Sequence, residues 1–252
     1  MEKLKIYIIL LIFFTFSCEN SKNEIQKPIQ KMQKTEILEP QKAEKQYIIS
    51  KTEQLFIDSG LIDVHTLDTT IVVDLKYSTT ENFLGFVLYD EGFNKCYLQT
   101  LVAEKLANAQ KILCDTMPNY KLKIFDASRP RHIQQLMWDS IKVPKRERGK
   151  YVSNPNPGSL HNFGAAVDAT IVDENNQELD MGTKFDDFTN LASTANEKQK
   201  IASGLLTQKQ VENRKLLRFC MRKAGFISLP SEWWHFNDCS RKIALEKYSL
   251  VE

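Results

Sequence analysis

The 252-residue chain has no apolar run long enough to cross a bilayer: its one extended run, Ile6 to Phe16, has 11 residues, against about 20 for a spanning helix. That excludes a multi-span membrane protein. Glycine (9) and proline (8) are too few for collagen-like or low-complexity architecture. An excess of one charge is also missing. Lys plus Arg is 34 and Asp plus Glu is 32, so the net charge is only +2, and neither nucleic acid nor another polyelectrolyte is implied as a partner. The five cysteines include no close pair, which argues against a thiolate-bound metal. What is there, 42% hydrophobic and 26% charged residues, is the balance of a soluble globular protein of one or at most two domains.

Lys3 and Lys5 precede the short apolar run, which suits the core of a secretory signal, and Ser17-Cys18 follows it. A cysteine directly after a small residue resembles a bacterial lipoprotein cleavage site, although Thr15 stands where leucine is usual. Residues 1–17 are therefore expected to be a lipoprotein signal peptide and Cys18 to carry lipid. The protein would then be exported and touch a membrane only through that lipid. An ordinary signal peptide and an uncleaved anchor are the alternatives, and both also imply export. Residues 19–46 hold six Lys, five Glu, five Gln and no aromatic residue. They offer too little apolar surface to offset the entropy of ordering, so 18–46 reads as a flexible tether. One folded domain is expected over 47–252, where 26 basic and 26 acidic residues balance.

Within that domain Leu98, Leu101, Val102, Leu106, Ala109, Ile112 and Leu113 recur at helical spacing. Lys121 to Asp126 reads as a short strand, after which Ser128 is expected to cap a helix with Pro130 in its first turn. Ala165 to Val172 is an apolar, β-rich run with one acid, Asp168. Gln208 to Ala224 reads as a helix ending in Arg222, Lys223 and Gly225, and Trp233 to Phe236 as strand. Helices and strands mix without regular βαβ alternation, which predicts an α+β fold.

Histidine occurs four times, and two of the four lie in unusual settings. One is the segment from Ser159 through His161 and Gly164 to Asp168; the other runs from Glu232 to His235. His161, Asp168 and His235 are of the types that bind zinc, and three protein ligands leave a fourth position for water. A straight strand would separate His161 from Asp168 by roughly 23 Å, so the chain must bend, and Gly164 is the place for it. Spacing permits this site without proving it. Glu232 suits a general base, or else it is a surface residue beside a core tryptophan pair.

Ser-x-His-x-x-Gly-x-Ala-x-Asp followed by Glu-x-Trp-His resembles the zinc D-Ala-D-Ala peptidases, which include D-alanyl-D-alanine dipeptidases and D,D-carboxypeptidases. Three further segments, at 77–85, 126–130 and 181–186, are similar to those of the dipeptidases and follow the same order. The resemblance implies a D-Ala-D-Ala-peptidase-like (Hedgehog-like) α+β domain with a small antiparallel sheet flanked by helices. It assigns His161, Asp168 and His235 to one zinc ion and Glu232 to the catalytic base. Arg129 would stabilise the tetrahedral intermediate, supported by Asp126, and Asp186 would bind the substrate's ammonium. Tyr77 and Ser159 match substrate-pocket residues. Without the motifs, Arg129 would read as a surface residue at a helix start, Asp126 as a turn former, and Tyr77 and Ser159 as packing or capping residues. Ser128 departs from the pattern, since an aromatic residue is common there. His65 and His132 lie in no motif and read as structural and solvated respectively. Cys96, Cys114, Cys220 and Cys239 allow two disulfides or four buried thiols.

The activity implied is hydrolysis of the small dipeptide D-alanyl-D-alanine in cell-wall peptide turnover, with no protein partner. A D,D-carboxypeptidase acting on peptidoglycan stem peptides is the alternative with the same chemistry. A non-catalytic cell-wall-binding lipoprotein is the alternative of another class, and the presence of all three ligands and the base argues against it.

Overall fold

The computed structural model describes residues 48–252; the expected signal peptide, the lipidated Cys18 and the tether lie outside the described residues. In chain order the elements are α1 (Lys51–Asp58), β1 (Ile62–Asp63), β2 (Val72–Val73), β3 (Tyr97–Leu98), α2 (Thr100–Thr116), β4 (Lys121–Asp126) and α3 (Arg131–Ser140). There follow β5 (Ala166–Val172), α4 (Glu197–Ala202), α5 (Gln208–Lys223), β6 (Ile227–Ser228), β7 (His235–Asn237) and α6 (Arg241–Lys247). The main sheet has the order β2-β4-β5-β7-β6, and β1 pairs with β3 in a separate antiparallel ribbon. All neighbours in the main sheet are antiparallel except β2 and β4, so the α+β expectation holds with one parallel edge pair. Among the described residues no helix is long and apolar enough to cross a membrane.

β5 lies at the centre of that sheet, and every one of its residues is buried. Side chains alternate between the two faces of a strand. Val167, Ala169 and Ile171 enter the principal core with Leu106, Leu113, Leu217 and Met221 from α2 and α5. Asp168 and Thr170 therefore face the other way. A polar face on a fully buried strand needs partners, and the neighbouring strands supply them. β7 sets His235 directly opposite Asp168, with Phe236 beside Val167 in the core. β4 pairs Ile124 with Ala169 on the core side, then slips by one residue so that Asp126 lies opposite Asp168. Without that bulge Phe125 would occupy the position, and Asp126 would turn into the core.

A second apolar cluster includes Phe56, Tyr77, Tyr89, Phe93, Tyr97 and Trp138. The helix after β4 departs from expectation. Pro130 takes the N-cap position of α3, and the Ser128 hydroxyl donates to the Tyr97 carbonyl instead of capping. Leu98 ends β3 rather than opening α2, and Trp233 and Trp234 precede β7. Cys96, Cys114, Cys220 and Cys239 are all free thiols, so the two disulfides they could have formed are absent.

Gly164 provides the bend between His161 and Asp168, with φ of 64°. A Cβ there would lie 2.9 Å from Leu61 Cδ2 and 3.0 Å from Ser128 Oγ. Gly164→Ala combines a left-handed backbone with a clash, and it is expected to lower unfolding free energy by about 2 kcal/mol or more. Urea denaturation reads this directly, and an unchanged midpoint would contradict the account of the turn.

Candidate active site

His161 sits in the short 3-10 turn Leu160–Phe163, which Gly164 ends and which leads straight into β5. The turn folds the imidazole back over the start of the strand. His161 Nε2 comes within 3.3 Å of His235 Nδ1 and 3.5 Å of Asp168 Oδ2, and His235 Nδ1 is 2.9 Å from Asp168 Oδ1. Four-coordinate zinc with bonds of about 2.0–2.2 Å holds tetrahedral donors about 3.3–3.6 Å apart, so the spacing matches such a centre with little adjustment. No other group of three His, Cys, Asp or Glu side chains among the described residues has this arrangement.

The outer hydrogen bonds fix which nitrogens point inward. His161 Nδ1 lies 2.6 Å from the Ala127 carbonyl, which can only accept, so Nδ1 carries the proton and Nε2 presents its lone pair. His235 Nε2 meets Asn237 Oδ1 at 2.8 Å, which leaves Nδ1 to face the site. Two lone pairs and a carboxylate thus converge and require a cation between them. A proton can serve in part. Burial disfavours charge on His235, but the Asp168 hydrogen bond and charge outweigh it and push its pKa up to about 9. The same two imidazoles hold Asp168 well below the usual carboxylate range despite its burial.

Glu232 lies on the turn from Leu229 to Trp234, ahead of β7, so strand alternation does not force it away from His235. Its carboxylate makes no hydrogen bond or ion pair among the described residues. Burial raises its pKa above the ordinary value, more than the nearby His235 lowers it. Arg129 is only 6% exposed and so is no surface residue. Its Nε and Nη2 both donate to Asp126 Oδ2, and its guanidinium lies 5.1 Å from the centre of the Tyr77 ring. Asp126 is wholly buried and accepts from Tyr89 as well.

Asp186 also lines the cavity. The Tyr77 hydroxyl donates to both of its oxygens, at 3.2 and 3.1 Å. Burial, then the charge of Asp168, lift its pKa well above the carboxylate range. Its φ of 59° is unusual for a residue with a side chain. Ser159 also lines the cavity, with its hydroxyl 2.7 Å from Gln134 Oε1. One cavity of about 300 Å³ is thus lined by all the predicted site residues among the described residues except Asp126, which stands behind Arg129. His65 bonds the Ile71 carbonyl and His132 the Glu252 carbonyl, both away from it.

Sequence reasoning missed Tyr89, which holds Asp126, and Asn237, which holds His235. Asn237 had a signal, since residues two apart on a strand share a face. Tyr89 had none: its partner lies 37 residues on.

The model of the family described as D-Ala-D-Ala dipeptidase matches residues 58–249. A D-alanyl-D-alanine dipeptidase of Escherichia coli is 30% identical over 180 residues, covering 70% of this chain and 83% of its own. One from Synechocystis is 30% identical, covering 58% of this chain and 71% of its own. One from Enterococcus faecium is 26% identical, covering 65% and 83% respectively. Among solved structures, an LD-carboxypeptidase overlaps 60% of this chain and 63% of its own, at a TM-score of 0.37 and 20% identity. Since the family match takes in all three candidate metal-ligand positions and most of the described chain, this protein belongs to the D-Ala-D-Ala dipeptidase family of peptidases.

Proposed function

We propose that the chain hydrolyses D-alanyl-D-alanine to two D-alanines, with one zinc ion held by His161, Asp168 and His235. The observation that carries this reading is the convergence of three metal-ligating acceptors beside an unpartnered carboxylate and a buried guanidinium. The substrate is taken from the relatives, which are named D-alanyl-D-alanine dipeptidase. Export and lipid anchoring, proposed from the Ser17-Cys18 motif, would place the activity in cell-wall peptide turnover.

Zinc at this position would polarise the scissile carbonyl and lower the pKa of water from about 15.7 to about 7. The remaining steps fall to the chain's own side chains. Glu232, with no competing partner and a raised pKa, takes the proton of the attacking water and returns it to the departing amide nitrogen. Arg129 meets the negative charge that develops on the carbonyl oxygen. With Nε and Nη2 committed to Asp126, the guanidinium is aimed before the substrate arrives and loses little freedom on binding it. Asp186 and Tyr77 receive the substrate's ammonium. An arriving cation supplies the countercharge that the buried Asp186 carboxyl otherwise lacks, so a free amine is favoured and an acylated one leaves that group uncompensated.

Glu232→Gln is expected to keep one zinc per chain while kcat for D-Ala-D-Ala falls about a thousandfold. Metal analysis beside steady-state kinetics checks this, and near-native turnover would rule Glu232 out as the base. A chelator should abolish hydrolysis and added zinc restore it; activity that survives complete metal removal would overturn the metal reading. N-acetylation of the dipeptide is expected to reduce kcat/KM by about a hundredfold or more. Faster hydrolysis of the acetylated substrate would instead identify a D,D-carboxypeptidase.

A further inference from the structure

Arg214 on α5 is fully buried, yet it touches none of the catalytic groups. Its Nε donates to the Met181 carbonyl at 2.6 Å and its Nη1 to the Leu191 carbonyl at 3.1 Å. Those two carbonyls are the feet of the loop that carries Asp186. Glu197 supplies the countercharge, 4.0 Å from Arg214 Nη1, while its carboxylate grips Arg218 through two further bonds. Nη2 is buried without a hydrogen-bond partner. A guanidinium withdrawn from water at this cost is retained where its rigid fork reaches acceptors that a single donor cannot bridge.

The rest of α5 works on the same loop. Gln210, Asn213 and Arg214 share a helix face through their i, i+3, i+4 spacing. Asn213 Nδ2 donates to the Asp180 carbonyl at 2.8 Å, and Gln210 Nε2 to Asp180 Oδ2 at 2.8 Å. At the other foot, Lys200 Nζ donates to the carbonyls of Asn190 and Ser193, both at 2.6 Å. Between the feet Asp186 holds a positive φ, which is costly for a residue with a side chain, while Gly182 (φ 81°) allows the close approach of Leu206 that a Cβ would block. A strained backbone keeps its shape only where its surroundings over-determine it.

We infer that Arg214 is a positioning residue: by clamping the carbonyls of Met181 and Leu191, it holds the loop in the geometry that presents Asp186 to the substrate's ammonium. The inference rests on the reading of Asp186 given above. Arg214 thereby governs substrate affinity and the demand for a free amine, and leaves bond cleavage to the metal-side groups.

The test uses Arg214→Lys, which keeps the charge opposite Glu197 but cannot bridge both carbonyls, and Asn213→Ala, which removes the adjoining staple and leaves the buried charge in place. Arg214→Lys is expected to raise KM for D-Ala-D-Ala about tenfold with kcat within about threefold of native and one zinc per chain. Asn213→Ala should move KM in the same direction by less. In an Asp186→Ala background, Arg214→Lys should change KM by less than about twofold, because its route to the substrate is already gone. A native KM in Arg214→Lys, a fall in kcat at constant KM, or a full tenfold effect in the Asp186→Ala background would each overturn the inference. If Asp186→Ala raises KM while both α5 variants are native, the inference alone fails. If Asp186→Ala has native KM, the ammonium reading fails and takes the inference with it.

Discussion

The structure turns on electrostatic convergence at one point. Two imidazole lone pairs and one carboxylate meet within 3.5 Å in a buried setting, and both imidazoles are held there by a second partner on the outer side, the Ala127 carbonyl and the Asn237 side chain. Such an arrangement is unfavourable unless a cation completes it, because buried acceptors facing one another repel and have no water to relieve them. The fold spends three adjacent strands and a left-handed turn on building it. Its neighbourhood follows the same rule: Asp126 is matched by Arg129, while Asp186 makes no ion pair among the described residues and burial raises its pKa.

Two small irregularities convert a simple sheet into this site. The bulge in β4 turns Asp126 onto the face shared by Asp168 and His235, and it thereby places Arg129 beside the metal-ligating groups. The turn at Gly164 brings His161 over a strand from which straight geometry would have kept it distant. The loop bearing Asp186 contributes to the cavity wall and is held by side chains of α4 and α5. On the proposed reading, metal ligation and amine recognition would rest on different elements, one on the sheet and one on a helix-anchored loop. That separation would let bond cleavage and substrate choice be altered independently.

Much of this was legible in the sequence. The α2 stripe follows from periodicity, β5 from its apolar, β-rich run and α5 from its C-terminal signature, and the bend at Gly164 follows from how far a strand would carry Asp168 from His161. The ligand types were legible because two of only four histidines stood beside carboxylates in unusual contexts. The start of α3 was misjudged because Ser128 is drawn to the Tyr97 carbonyl, a long-range bond that outweighs local capping preference. The bulge at Phe125 was invisible because nothing in residues 121–126 marks it; it arises from pairing with β5. Tyr89 and Arg214 were missed for a related reason. Each acts on a residue far along the chain, and neither lies within a local motif.

Anomalous scattering at the zinc edge from crystals of the zinc-loaded protein tests most directly whether a metal ion lies between His161, Asp168 and His235. A single strong peak per chain is expected about 2 Å from His161 Nε2, His235 Nδ1 and an oxygen of Asp168. A fully loaded protein whose zinc peak lies elsewhere, with these three side chains bonded only to one another, would contradict this placement.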